Sequence, residues 1–320
     1  MALAYDYITA ITQDKYIPRM VDNIYESSAL LSMMRRDGRI LNGGTEIVQP
    51  LLYAKNTSRG GFTGYEVFNV SPPDNLTAAK YDWAQYYVSI SLAGLDEIKN
   101  SGDSAVLNLL EIKMKDAEMS MLDQLATDLF SGTTHIIGLA SAVDATTTYG
   151  GIAVADFAGW ASGEDGTAHT AANMKDSTNA AYAHTLFRTA WKSCNHLNKS
   201  PNLIITSQEV FDIYEQTLQA NARYPLTARG KFLADAGFTT VEFRGIPVVV
   251  DDFCPDGTDS YCYFLNTDFL NLYISPKQNF KFTGFKVPTN QDARVGQILV
   301  AAQLGLSNRR MFYKFTDLGN

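Results

Sequence analysis

The chain has 320 residues and a mass of 35.3 kDa, room for two domains of ordinary size or one large domain with insertions. Apolar residues make up 46 % and charged residues 19 %, against ~25 % charged in typical soluble chains, so part of the outer surface is expected to be covered by something other than water. Lys and Arg total 26 and Asp and Glu 34, a net charge of −8; that balance excludes a broad positive face for wrapping DNA, and the 12 % aromatic content excludes disorder.

The first forty residues read as an arm with short helices. Pro18 suits a first helical turn, where its missing N–H costs nothing, and Ile17, Met20, Val21 and Ile24 follow at helical spacing. A second apolar cluster, Ala29, Leu30, Leu31, Met33 and Met34, is closed by Arg35, Arg36 and Gly38, the ending expected of a helix.

Thr45–Tyr53 and Ala79–Leu92 are rich in β-branched and aromatic residues and are predicted strands. In the second, Tyr86, Val88, Ile90 and Leu92 share one face by the period of two. Between them, residues 54–78 are dense in Gly, Asn, Ser and Pro yet carry Phe62, Tyr65, Phe68 and Val70. A connection that long is uncommon inside a compact domain. It reads as the tip of a long hairpin whose apolar residues are covered from outside the chain's own core.

The strongest helix signal follows. Ser101-Gly102-Asp103-Ser104 offers capping side chains and a first-turn acid. Neither Pro nor Gly then occurs up to Phe130, while Val106, Leu110, Met114, Ala117, Met121, Leu125 and Leu129 make one stripe, stopped at Gly132. Such a helix would run on the order of 40 Å. Residues 136–275 alternate between helix and strand patterns. Helices are predicted at Ala183–Asn198 and Gln208–Leu218, and strands at Asn202–Thr206, Val241–Phe243, Ile246–Val250, Tyr261–Leu265 and Leu270–Ile274. Residues 160–181 read as a surface loop. The end is largely β, at Asn279–Phe285, Gln297–Leu306 and Met311–Phe315.

No chemical motif outweighs its structural reading. Gly102-Asp103-Ser104 lacks the glycines of a nucleophilic-serine turn and already serves as a helix cap. Gly60-Gly61-Phe62-Thr63-Gly64 lacks the Lys-Ser/Thr of a phosphate loop. Asp251-Asp252 is expected to end a buried strand in solvent. Cys194-Asn195-His196 lacks the third and fourth donors that zinc needs, and its members are expected on a helix surface; no two of His135, His169, His184 and His196 lie four residues apart. Asp96-Glu97 and Asp116/Glu118 fit solvated faces better than an acid/base pair. The three cysteines, Cys194, Cys254 and Cys262, argue against a disulfide framework. No run of ~18 apolar residues is present to cross a membrane as a helix, and residues 1–7 do not form a secretory signal. Neither catalytic, cofactor-binding nor metal-binding residues are predicted, and an enzyme is not expected.

The order of parts is the informative feature: an arm, a long two-stranded excursion, one long helix, an α/β body and a return to β. This order resembles the major capsid protein of tailed bacteriophages, the Hong Kong 97 type, over essentially the whole chain. Local wording is similar: Gly138-Leu139-Ala140, Tyr149-Gly150-Gly151-Ile152, Trp160, Pro201–Ser207, Phe243–Val248 and Tyr263-Phe264-Leu265-Asn266. The resemblance implies an α+β fold with an N-terminal arm at 1–44 and an extended β-hairpin loop at 45–94. It also implies a peripheral domain with a long spine helix at 95–135 and 276–320, and an axial α/β domain at 136–275. It further implies a structural protein of the virion, assembled in the host bacterial cytoplasm into pentamers and hexamers of an icosahedral shell around double-stranded DNA. The implied partners are other copies of the chain, a portal and decoration proteins, with DNA met only by non-specific contact and no membrane. An arm beginning at residue 1 leads to the expectation of a separate scaffolding protein. The candidate contacts between subunits are Arg59, Phe62, Tyr65 and Phe68 on the hairpin and Ile17, Met20 and Ile24 on the arm. In the type member a loop Lys joins an Asn of a neighbour; Lys55, Asn279 and Asn290 occupy comparable stretches here, but cross-linking is not predicted. The alternatives are an α/β enzyme with an unrecognised site, which needs a pocket of converging ionisable groups, or a tail or decoration protein.

Overall fold

The computed structural model describes residues 28–37, 39–41, 43–72, 74–99, 109–196, 198–218, 240–256, 259–289 and 291–319. The helix expected around Ile17, Met20 and Ile24 and the cap expected at 101–104 lie outside these residues. The helices are α1 (Ala29–Asp37), α2 (Gly94–Lys99), α3 (Leu109–Ser131), α4 (Leu139–Ala142), α5 (Ala171–Lys175), α6 (Ala183–Ser193) and α7 (Gln208–Thr217). The strands are β1 (Arg39–Ile40), β2 (Ile47–Leu52), β3 (Leu76–Tyr81), β4 (Ala84–Ala93), β5 (Gly163–Asp165), β6 (Leu203–Thr206), β7 (Thr240–Phe243), β8 (Ile246–Val250), β9 (Ser260–Leu265), β10 (Leu270–Ile274), β11 (Lys281–Phe282), β12 (Ala293–Leu306) and β13 (Tyr313–Leu318). Two compact units emerge. The smaller takes in 87–122 and 280–299, and the larger 26–86, 123–279 and 300–320.

The core of the larger unit is a six-stranded sheet in the order β5-β13-β9-β6-β8-β7. All four residues of β6, Leu203-Ile204-Ile205-Thr206, are buried, as expected of an apolar run covered on both faces. On one face α6 and α7 bring Leu186, Phe187, Ala190, Val210, Phe211 and Tyr214 onto Ile204, Val248, Phe264 and Phe315. Phe187 stacks on Tyr214 at 4.8 Å and meets Phe264 and Phe243 edge-on at 5.3 and 5.6 Å. On the other face Phe130, at the end of α3, meets Tyr263 at 6.0 Å. The stripe Ala117, Met121, Leu125 and Leu129 along α3 is buried, and the helix stops before Gly132, where a Cβ would press on the carbonyls of Asp128 and Ile136.

Several expectations are corrected. The 160–181 stretch contains β5 and α5, because the backbone of Gly163–Asp165 pairs in parallel with Tyr313–Phe315. The single strand expected at 79–92 is two, β3 and β4, interrupted at Asp82-Trp83. β13, near the end of the chain, pairs antiparallel with β9. Cys194 is buried at the end of α6, not on its surface, with its Sγ 2.9 Å from the Ala190 carbonyl. Asp251 does not end β8 in solvent. It is 1 % exposed and accepts hydrogen bonds from Ser28 Oγ at 2.8 Å and Leu30 N–H at 2.9 Å, capping α1 from 221 residues away.

Two buried cations hold the 140–149 connection. Arg309 donates through Nε to the Ala142 carbonyl (2.8 Å), Nη1 to Thr147 O (3.0 Å) and Nη2 to Asp144 O (2.9 Å), with Tyr149 beneath it. Lys314 donates to Ala140 O at 2.8 Å and pairs with Glu164 at 3.1 Å and Asp144 at 3.3 Å. Asp144 also accepts the N–H groups of Thr146 and Thr147 at 2.7 and 2.8 Å. Although burial opposes them, these hydrogen bonds and the Lys314 charge hold its carboxyl well below the usual range.

In the smaller unit β11 pairs antiparallel with β12, Lys281 opposite Leu299 and Phe282 opposite Ile298. Phe282 and Phe285 meet edge-on at 5.0 Å. Lys113 of α3 donates to Ser91 O of β4 at 2.7 Å, and Gly94 N–H to Asp292 O at 3.1 Å.

Candidate functional site

The candidate site is the ribbon β2–β3 and the excursion it carries. The strands pair in register from Ile47 opposite Tyr81 to Leu52 opposite Leu76. The root of the ribbon is fixed to the larger unit. Tyr81 donates its hydroxyl to Leu306 O at 2.7 Å, Lys80 N–H to Gly150 O at 2.9 Å, and Tyr273 OH to Gln49 Oε1 at 3.2 Å. Gly150 sits at φ +61°, and a Cβ there would come 2.9 Å from Ala79, so glycine serves both the turn and the close approach. Burial raises the Tyr81 hydroxyl well above its ordinary pKa, which keeps it a neutral donor.

Among the described residues between Leu52 and Leu76 no helix or strand forms, yet the segment is locally tied. Ser58 Oγ donates across it to Ser71 O at 2.6 Å. Asn56 and Asn69 accept from the N–H groups two residues on, at Ser58 and Ser71, as Asx turns do. Thr63 N–H reaches Glu66 Oε2 at 3.2 Å. Of the predicted contact residues, Phe62 and Phe68 meet edge-on at 5.0 Å and remain 64 % and 61 % exposed, while Tyr65 is fully exposed. Val67 and Val70 are exposed too, as is Arg59. Ile17, Met20 and Ile24 lie outside the described residues. Sequence reasoning missed Leu52 and Leu76, an exposed cross-strand apolar pair that extends the same surface along the ribbon; the period of two marks it once β3 is placed at 76–81.

Elsewhere the groups with chemistry are dispersed. Among the described residues no three His, Cys, Asp or Glu come together to hold a metal ion. All three cysteines are free and buried, and burial pushes the Cys194 thiol up to about 12, far from a reactive thiolate. A cavity of about 620 Å³ in the smaller unit is lined by Glu111, Met114, Lys115, Glu118, Phe280, Phe282 and Ile298. One of about 320 Å³ in the larger unit lies among Pro50, Leu52, Phe157, Trp160, Phe269 and Arg310.

The ribbon is anchored at its root and leaves an apolar set exposed at its tip, the kind of surface that marks interaction sites. No family model matches this sequence, and no curated protein matches it. Solved structures do. A chain of the cyanophage A-1(L) capsid asymmetric unit is 18 % identical, with 98 % of each chain covered and a TM-score of 0.64. The capsid of a native GTA particle is 10 % identical, with 99 % of this chain and 100 % of that one covered and a TM-score of 0.64. The SrpI encapsulin complex of Synechococcus elongatus is 9 % identical, with 100 % and 97 % covered and a TM-score of 0.55. The fold of this chain is that of tailed-phage capsid proteins, end to end.

Proposed function

We propose that this chain is the major capsid protein of a tailed bacteriophage, assembling as pentamers and hexamers into an icosahedral head that encloses double-stranded DNA. The observation that carries this reading is the exposed set Phe62, Tyr65, Val67, Phe68 and Val70 on a ribbon whose root is hydrogen-bonded in place. Apolar surface of that kind is stabilised when an adjacent copy removes it from water, at about 25 cal/mol per Å². The full-length likeness to phage capsid chains supports the same reading. In this proposal residues 1–44 are the arm, 45–94 the extended loop, 95–135 with 276–320 the peripheral domain, and 136–275 the axial domain. The shell works by interface burial. Scaffold, portal and decoration proteins are its proposed partners.

Deleting residues 58–70 tests this role. The variant is expected to keep the unfolding temperature of the parent subunit to within a few degrees and to form no stable particles in negative-stain electron microscopy. Normal particles from the deletion would overturn the role of the ribbon. The likeness to the encapsulin complex favours a second reading, a shell outside any virion. Particles isolated from the producing cells distinguish the two by whether they hold double-stranded DNA.

A further inference from the structure

Residues 177–208 contain Arg188, Lys192 and Lys199 but neither Asp nor Glu, in a chain where acids outnumber bases 34 to 26. This stretch includes α6, which buries Ala183, Leu186, Phe187 and Ala190 and leaves Arg188 and Lys192 exposed, four residues apart and therefore neighbours on one helix face. Trp191, on the same helix, is half-buried and packs against the core beneath. Over its ring, at 4.6 Å, sits the guanidinium of Arg244, which is exposed at the turn between β7 and β8. Arg244 has φ +52°, a conformation that Asn or Gly adopts at lower cost, so the position keeps an arginine against its backbone preference. Lys199 is paired with Asp268 at 3.3 Å. Arg188, Lys192 and Arg244 have no ion-pair partner among the described residues.

We infer that Arg188, Lys192 and the Trp191-stacked Arg244 form the surface through which this chain touches the phosphates of double-stranded DNA. The inference rests on the shell reading and adds to it the face that meets the packaged duplex. Stacking on Trp191 holds the guanidinium plane and leaves its N–H edge free for the bidentate geometry of phosphate oxygens. The indole face is occupied by the arginine, so it is closed to base stacking; the strip therefore suits the backbone of a duplex rather than the bases of a single strand. Three cations on a chain of net charge −8 give contact that is weak, salt-labile and indifferent to sequence. A wall that confines DNA requires that kind of contact.

The test uses the full-length subunit and a fluorescent duplex of about 30 base pairs at low salt, read by anisotropy. The triple variant Arg188→Gln, Lys192→Gln, Arg244→Gln is compared with the equally charged control Lys277→Gln, Lys281→Gln, Lys286→Gln, and thermal melting verifies that both are folded. The strip variant is expected to bind at least about tenfold more weakly and to lower the slope of log K against log salt by about 3, while the control stays near the parent. Equal losses in the two variants, no binding by the parent, or tighter binding of a single strand than of the duplex would each overturn the assignment. So would a strip variant that binds DNA normally but fails to form particles, which would give the strip to an acidic face of a neighbouring copy. Failure of the parent itself to assemble strikes the shell reading and is scored separately by electron microscopy.

Discussion

Asp251 carries a carboxylate into a place that water does not reach, and the fold uses it to start α1. Burial is the largest influence and, with Asp252 adding to it, raises the pKa from 3.8 to about 6 despite hydrogen bonds from Leu30, Ser28 and Phe253. An acid whose pKa is higher in the folded chain contributes stability that is complete below about pH 4 and lost as pH rises through about 6. His196 works the other way: burial and the nearby Arg310 lower its pKa, so its contribution is lost as pH falls through the ordinary histidine range. The Asp251→Asn variant separates the two. Between about pH 5 and about pH 7 its stability is expected to gain about 1.4 kcal/mol on the parent, one pKa unit of titration. Thermal unfolding at the two pH values measures this, and a pH-independent difference would show that Asp251 does not ionise in this range.

At the scale of elements, the largely apolar strands β6, β8, β9 and β10 were legible because burial on both faces leaves them few polar positions. The stripe along α3 was legible for the same kind of reason, its period matching the helix. What escaped depends on partners far away in the chain. β5 is Gly-Glu-Asp, with no apolar signal, and exists because β13 offers it a parallel backbone. The role of Asp251 needed Ser28 and Leu30 beside it, which no local pattern records. The exposed ribbon tip could be read because its aromatic residues conflict with a Gly- and Asn-rich setting; its anchor could not. A comparable long-range pin is Tyr86 on β4. Its hydroxyl donates to Asp128 Oδ2 of α3 at 2.6 Å and accepts from Ile136 N–H at 3.2 Å. Tyr86→Phe removes both hydrogen bonds, leaving the Asp128 carboxylate only its bond from Gln124, and is expected to cost about 1–3 kcal/mol, read as a lower denaturant midpoint with an unchanged m-value. An unchanged midpoint would mean that solvent replaces the hydroxyl at no cost.

For the whole molecule, the proposed shell sets apolar attraction against like-charge repulsion wherever two copies would meet. Every subunit brings a charge of −8, while the ribbon offers Leu52, Phe62, Tyr65, Phe68 and Leu76 as surface to be buried. Salt screens the first over a Debye length of ~10 Å at 0.1 M and leaves the second intact or slightly strengthened. Raising the salt from about 50 to about 500 mM is therefore expected to lower the subunit concentration at which particles appear. Light scattering across a concentration series, with electron microscopy of the end points, measures that threshold. In Phe62→Ser/Phe68→Ser subunits the threshold should rise at every salt concentration, because the buried area falls while the charge is unchanged. Particles that dissolve as salt is added would instead assign the cohesion to ion pairs between copies, with the apolar ribbon secondary to them.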